Sequence, residues 1–224
     1  MDNSKTDLDL GIKVAEYLTQ KGVQTPMVAT QLEVPDEFKL KQIEMHVRNI
    51  LMIIGLDLDD DSLIDTPKRV AKMYVNETFA GLKAENFPKS TVVDNKMKYS
   101  GVVLESPVAV KSVCEHHIIT IDGYATVAYI PGDKVLGLSK LNRIVNYFCR
   151  RPQIQERLTE QIFHALVYIL GTEDVAVHID AKHYCVSHRG IEDVNSRTDT
   201  AKLGGAFFNN ASTRAEFYAG IKRK

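Results

Sequence analysis

The sequence contains few cysteines and carries almost no net charge. Its three cysteines among 224 residues are too few for a disulfide framework and are typical of a reducing compartment. The net charge is -1, so the composition gives no reason to expect binding to nucleic acid or to a membrane surface. An anionic ligand would have to be held by a local cluster of lysine and arginine side chains.

Sequence signals for targeting and for common nucleotide sites are also missing. No apolar run approaches the roughly 18 residues of a membrane span. The beginning of the chain lacks the basic and then apolar pattern of a signal peptide, so we expect a cytoplasmic protein. Neither G-x-G-x-x-G nor G-x-x-x-x-G-K-[ST] occurs, which argues against a Rossmann nucleotide site and against a P-loop.

The order of the hydrophobic patterns predicts an α+β fold with an antiparallel sheet and helices packed on one face. Helical and strand patterns are segregated along the chain and do not alternate regularly. Asp122-Gly123 lies between two apolar runs and predicts the turn of a β-hairpin over residues 118–130. Helical spacing of apolar residues is found over 12–18, 36–56, 65–79, 138–148 and 152–170.

The stretch 114–117, Cys-Glu-His-His, is rich in side chains that bind metals or transfer protons. Cys114 and His117 are three residues apart and can face one point from a single turn. Cys185 can join them from a distant strand. Two sulfurs and one imidazole are one ligand short of a closed structural zinc site. The remaining position would hold water, as in catalytic zinc sites.

The remaining histidines near this stretch have two interpretations. His116 and His183 would lie beside the metal without binding it and would be free to move protons. The alternative is that the cysteines are small buried apolar residues and the histidines are hydrogen-bonded polar residues. Cys149 falls beside the apolar stripe of its helix, and we interpret it as structural.

A candidate anion site lies at the start of the helix over residues 138–148. Lys140 and Arg143 are one turn apart there, where free backbone N–H groups already favour an anion. Arg69 and Lys72 form a weaker pair on an earlier helix, and the alternative for them is a solvated helical face. Glu156 begins another helix, where its charge can simply complement the helix dipole.

Four motifs in this order resemble the signatures of GTP cyclohydrolase I, a family of zinc-dependent enzymes that open pteridine biosynthesis. The resemblance covers about residues 65–217 and implies the small tunnelling fold for residues 65–224, the catalytic domain. Residues 1–64 would form a preceding helical region. It also implies a homodecamer with active sites at subunit interfaces. The motifs are 112–117, 137–143, 151–157, and His183-Tyr-Cys185 with Arg189-Gly190.

The resemblance also implies roles for individual residues. The zinc ligands would be Cys114, His117 and Cys185. The catalytic group would be His116, His183, Ser139 and Gln155. The contacts to the triphosphate and to the guanine edge would be Lys140, Arg143, Arg189, Arg69, Lys72 and Glu156. Glu115 and His188 receive no role.

The implied reaction converts GTP into 7,8-dihydroneopterin triphosphate and formate, the first step of tetrahydrofolate biosynthesis. A carboxylate at position 156 can accept hydrogen bonds from N1–H and the 2-amino group of guanine, which discriminates against adenine. Zinc lowers the pKa of water toward about 7 for attack at C8, and a histidine can protonate the ring nitrogen as C8–N9 opens. Allosteric control of this reaction is left open.

Three other interpretations compete with this one. A tunnelling-fold enzyme that reduces nitriles would need one reactive cysteine and a nicotinamide cofactor. A zinc nucleobase deaminase would need P-C-x-x-C after the first motif, and the sequence has none. A zinc-stabilised assembly protein would explain the metal ligands, but it would not explain the basic residues together with Glu156.

Overall fold

The computed structural model describes residues 5–221. Within this range, no helix has both the length and the apolar character needed to cross a membrane. The helices are α1 (Leu8–Gln20), α2 (Ala29–Leu32), α3 (Asp36–Ile53), α4 (Thr66–Met73), α5 (Leu138–Cys149), α6 (Gln155–Leu170), α7 (Tyr184–Ser187), α8 (Gly205–Asn209) and α9 (Ala211–Ile221). The strands are β1 (Val92–Asp94), β2 (Val103–Cys114), β3 (Ile119–Tyr129), β4 (Lys134–Leu136), β5 (Pro152–Gln153), β6 (Val175–His183) and β7 (Thr198–Leu203).

The main sheet has the strand order β5-β2-β3-β6-β7. The β2–β3, β3–β6 and β6–β7 pairs are antiparallel, and only the two-residue β5 runs parallel to its neighbour β2. A second, two-stranded sheet pairs β1 with β4. The predicted α+β class with a mostly antiparallel sheet is therefore confirmed.

Helices cover both faces of the sheet, whereas the sequence predicted helices on one face. The apolar stripes of α5 and α6 are buried against one face, as the helical spacing predicted. The small side chains of Ala128 and Ala176 point to the other face because side chains alternate along a strand. They leave room there for Phe207 of α8 and Phe217 of α9, both fully buried.

The predicted turn at Asp122-Gly123 is wrong. Strand β3 runs through both residues and is the middle strand of the sheet. A Cβ atom at Gly123 would lie 2.2 Å from the backbone oxygen of Asp180 on β6. The glycine therefore permits close approach of the neighbouring strand. The hairpin turn lies earlier, between Cys114 and Ile118, where Ile118 has a φ of 53°.

The segment before α3 is joined to the core. Helix α1 places Val14 and Leu18 in the main hydrophobic cluster. In the loop that follows, Gln24 accepts a 2.9 Å hydrogen bond from the buried guanidinium of Arg151, and Thr25 accepts a 3.0 Å bond from Gln161. These bonds tie residues near the N-terminus to Arg151, just before α6, and to Gln161 within that helix.

Helix α3 forms where its apolar spacing predicted, and Gly55 with a φ of 94° follows its end. None of its residues is buried. Ile50 and Ile53 are 57% and 83% exposed. The apolar face of α3 therefore remains largely open to solvent in a single described chain.

Candidate active site and metal centre

The ends of β2 and β6 create a group of metal-binding side chains. Cys114 is the last residue of β2, and His183 is the last residue of β6. Both strands pair with β3, and Cys185 follows in α7. The two sulfur atoms and a ring nitrogen of His183 lie within 4.8 Å of one another. Two thiols and an imidazole suit a borderline-soft divalent cation such as zinc.

The protonation of this group follows from its surroundings. Burial, together with the neighbouring Cys114 thiol, raises the pKa of Cys185. Burial lowers the pKa of the His183 imidazole, and the charge of Glu156 partly opposes that shift. The imidazole is therefore held in its neutral form, which is the form that binds a metal or accepts a proton.

Gln155 fixes the orientation of His183. Its buried amide nitrogen lies 3.0 Å from the backbone oxygen of Ile179 and 2.8 Å from that of Thr198. Both oxygens can only accept, so the amide nitrogen must face them. The amide oxygen then accepts the 2.8 Å hydrogen bond from Nε2 of His183. The proton of His183 is consequently on Nε2, and Nδ1 carries the free lone pair.

The third predicted zinc ligand, His117, lies in a different environment. Its exposed imidazole has Nε2 2.7 Å from a guanidinium nitrogen of Arg189. Arginine can only donate, so the Nε2 lone pair of His117 accepts this bond. Among the described residues, the imidazole that lies beside the two sulfurs is that of His183, whereas the resemblance assigned this place to His117. Ligation by His117 stays a prediction.

The other residues of the first motif surround this group. His116 is exposed, and its Nδ1 lies 3.5 Å from the sulfur of Cys114. Glu115 points toward α6 and forms an ion pair with Arg157, with atoms 2.6 Å apart. Arg157 was not among the predicted site residues, although it ends the 151–157 motif and follows Gln155 by two positions. Its place in the first turn of α6 was the available signal.

One further candidate lies close to the metal group, while the weaker basic pair shows no link to it. Glu156 is exposed in the first turn of α6, and its charge acts on His183. Arg69 forms a 3.5 Å ion pair with Asp65 on an exposed face of α4, and Lys72 on the same helix is also exposed. That arrangement fits the solvated-face interpretation of Arg69.

The predicted phosphate cluster lies at the opposite end of β2 from Cys114. Ser139, Lys140 and Arg143 are all in the first half of α5. Asn142, in the same part of α5, donates a 3.0 Å hydrogen bond to Glu105 near the start of β2. At roughly 3.4 Å per residue, the strand from position 105 to Cys114 spans about 30 Å. One chain does not bring these residues to the metal group.

Comparison with known proteins places the chain in a family. The model of the GTP cyclohydrolase I family matches residues 43–222. The chain belongs to the GTP cyclohydrolase I family. It is 55% identical over 209 residues to GTP cyclohydrolase 1 of Shewanella denitrificans, covering 93% of this chain and 95% of that protein. It is 53% identical over 209 residues to GTP cyclohydrolase 1 of Vibrio vulnificus, covering 93% and 95%.

Membership of the GTP cyclohydrolase I family confirms the resemblance that the motifs carried. The matched range contains every candidate site residue, from Arg69 to Arg189, and most of α3. The metal-binding group, His183 with its hydrogen bond to Gln155, and the exposed Glu156 all lie within the range that the family model matches.

Proposed function

We propose that the chain is a zinc-dependent GTP cyclohydrolase. It would convert GTP into 7,8-dihydroneopterin triphosphate with release of formate, the first step of tetrahydrofolate biosynthesis. The observation that supports this most is the meeting, at one end of the sheet, of the Cys114, Cys185 and His183 group with Glu156. Family membership supports GTP as the substrate.

The donor set supports zinc as the metal. Cys114 and Cys185 would hold it with two sulfurs, and an imidazole would complete the three protein ligands of a catalytic site. The resemblance assigns this imidazole to His117, while His183 is the one within 4.8 Å of the sulfurs. Zinc at this position would supply Lewis-acid activation of a water molecule. The three cysteines are all free thiols, which fits the cytoplasmic location that we propose.

The protein's own residues would bind guanine and move protons. The exposed carboxylate of Glu156 would accept hydrogen bonds from N1–H and the 2-amino group of guanine. Water would add at C8, and His183 or His116 would take the proton that this water releases and give it to the ring nitrogen as the C8–N9 bond breaks. A second hydrolysis would release C8 as formate. Amadori rearrangement of the ribose chain and ring closure would then give the pterin.

The triphosphate site would require a second subunit. The cluster of Ser139, Lys140 and Arg143 is separated from Cys114 by about the length of β2. A homo-oligomer, a decamer by the resemblance, would bring the start of α5 of one subunit to the metal group of its neighbour. The exposed apolar side chains of α3 support burial in such an assembly. Arg189, which lies at the metal end, would add a further positive charge for binding the triphosphate.

The test is to incubate zinc-loaded protein with GTP and to measure formate together with pterin fluorescence after oxidation. We expect both products in equal amounts, and no product from ATP, since adenine lacks the donors that Glu156 would read. Zinc-loaded protein that assembles but yields neither formate nor pterin would reject the proposal. That result would favour the zinc-stabilised assembly protein.

A further inference from the structure

An ion pair joins the metal-binding turn to the first turn of α6. One guanidinium nitrogen of Arg157 lies 2.6 Å from Oε2 of Glu115, and the other lies 3.4 Å from Oε1. The side chains are only 16% and 28% exposed, respectively. Such paired contacts fix both distance and orientation because the guanidinium fork is planar.

The positions of the two residues make the pair useful to the site. Glu115 lies between Cys114 and His116, on the turn that follows β2. Arg157 follows Gln155, which holds His183, and Glu156, the proposed guanine ligand. The backbone adds one further bond of 3.0 Å, from the nitrogen of Glu115 to the oxygen of Gln153.

The charge of Arg157 is difficult to explain by helix stability alone. A cation in the first turn of a helix opposes the helix dipole. No side chain caps the N-terminus of α6. The carboxylate of Glu115 offsets the charge of Arg157, so the pair adds no net charge to a site that must accept an anionic substrate. Its pairing also keeps the Glu115 carboxylate directed toward α6.

We propose that Glu115 and Arg157 form a positioning pair, which fixes the metal-binding turn at a set distance from the guanine-binding end of α6. The inference rests on the proposed GTP cyclohydrolase function. Neither residue needs to touch the substrate. Their pairing would hold Cys114 and His116 in register with Gln155 and Glu156, so that water attack and proton transfer occur at the same ring.

The experiment compares Glu115→Gln, Arg157→Met and the double variant in steady-state assays with GTP. We expect each single variant to lower kcat by about tenfold, or about 1.4 kcal/mol of barrier. KM should change by less than about threefold, because the substrate contacts remain. The double variant should have a kcat at least as high as that of the slower single variant, because the same interaction is removed in all three. Arg157→Lys, which keeps the charge without the fork, should recover part of the rate.

A matched control lies on the same helix. Glu160 pairs with Lys202 at 2.9 Å, with side chains 30% and 37% exposed, so Glu160→Gln removes a similar pair away from the metal group. We expect this variant to keep its kcat. Independent losses that multiply in the Glu115→Gln/Arg157→Met double variant, or an equal loss in Glu160→Gln, would overturn the positioning role.

A second readout does not depend on turnover of GTP. The visible absorption of the cobalt-loaded protein reports the geometry around the metal, and it should change in Glu115→Gln and Arg157→Met but not in Glu160→Gln. If the wild-type protein made no formate, the proposed function would fail while the cobalt spectra still tested the pair. Identical spectra in all variants would contradict a positioning effect on the metal-binding turn.

Discussion

At the scale of single residues, the three cysteines have different surroundings. Cys149 is buried in the apolar face of α5, and this burial raises the pKa of its thiol to about 12. Cys114 and Cys185 face each other at the metal group, and Cys185 is partly exposed. The sequence predicted a structural role for Cys149 because its neighbours on the helix are apolar, and its full burial confirms that interpretation.

Thiol reactivity should therefore separate the cysteines. With iodoacetamide at about pH 7.5, we expect Cys185 to be alkylated after zinc is removed by a chelator and to be protected when zinc is present. Cys149 should stay unmodified in both conditions because it is fully buried and its pKa of about 12 leaves almost no reactive thiolate, whereas Cys185 is partly exposed to the reagent. Peptide mapping by mass spectrometry gives the modified fraction at each position. Labelling of Cys149 as fast as that of Cys185 would contradict this prediction.

The identity of the zinc-binding imidazole can be decided by zinc content. We expect Cys185→Ser and His117→Ala to lose most of the bound zinc. A bond from His117 to zinc would replace an exposed hydrogen bond to Arg189, which costs little to break. His183→Ala and His116→Ala should keep zinc and lose turnover. Elemental analysis of the purified variants measures the zinc per chain.

The opposite zinc result has a definite meaning. If His183→Ala lost zinc and His117→Ala retained it, the Cys114, His183 and Cys185 group would itself be the ligand set. The hydrogen bond between His183 and Gln155 would then orient a metal ligand, since the second nitrogen of a metal-bound histidine usually donates to an acceptor. Normal turnover in His116→Ala would remove its proposed part in proton transfer.

At the scale of elements, helix α6 connects the site with the N-terminal segment. Its first turn carries Gln155 and Glu156, and later turns pack against α1. On that side, the His164 side chain is 14% exposed, and its Nδ1 is buried without a partner among the described residues. Its ring packs edge-on against Tyr17 of α1. His164 is thus a titratable group at the contact between two helices.

Stability should depend on the titration of His164. Burial lowers its pKa, with the charge of Glu160 opposing and that of Lys202 reinforcing the shift. In the unfolded state a histidine has a pKa of about 6.5. Below that pH the unfolded state binds more protons than the folded state. The contribution of His164 to stability is therefore fully present above about pH 6.5, and it is lost as the pH falls toward the lower pKa of the folded state.

Thermal unfolding of His164→Gln provides the measurement. Between about pH 7.5 and 5, we expect the wild-type midpoint to fall by a few degrees more than that of the variant, because glutamine does not titrate in this range. His183 contributes in the same direction in both proteins and cancels from the comparison. Equal pH dependence in the two proteins would show that His164 is not responsible.

The elements also show which features a sequence can predict. The stripe of Ile144 and Phe148 on α5, like that of α6, repeats within a few residues, so local spacing was enough to predict both helices. The role of Gly123 depends on Asp180, a distant residue on the neighbouring strand, and local turn chemistry gave the wrong answer. The pairing of Glu115 with Arg157 is likewise a contact across elements that spacing alone does not reveal.

At the scale of the whole molecule, the candidate site is divided. The metal group, Gln155, Glu156 and Arg189 lie where β2 and β6 end. Lys140 and Arg143 lie near the other end of β2. The motifs predicted which residues belong to a site, but their order along the chain carries no information about which subunit supplies each one. This separation supports the proposal that each site is shared between neighbouring subunits.

Subunit complementation tests this division. Lys140→Ala and His116→Ala should each be inactive alone, because each would damage a different half of every site. When the two are unfolded and reassembled together in equal amounts, about a quarter of the shared sites should combine two intact halves. We therefore expect about a quarter of the wild-type kcat per site to return, measured as formate release from GTP.

The matched control uses two variants with the defect in the same half. Lys140→Ala mixed with Arg143→Ala should recover no activity, because every shared site would still receive a damaged α5 end. Sites complete within one chain would give no recovery in either mixture, since each chain would keep its own defect. Recovery in the first mixture alone would thus require that β2 of one subunit and α5 of another meet at one substrate. The span of about 30 Å between Glu105 and Cys114, at roughly 3.4 Å per residue, already favours this arrangement.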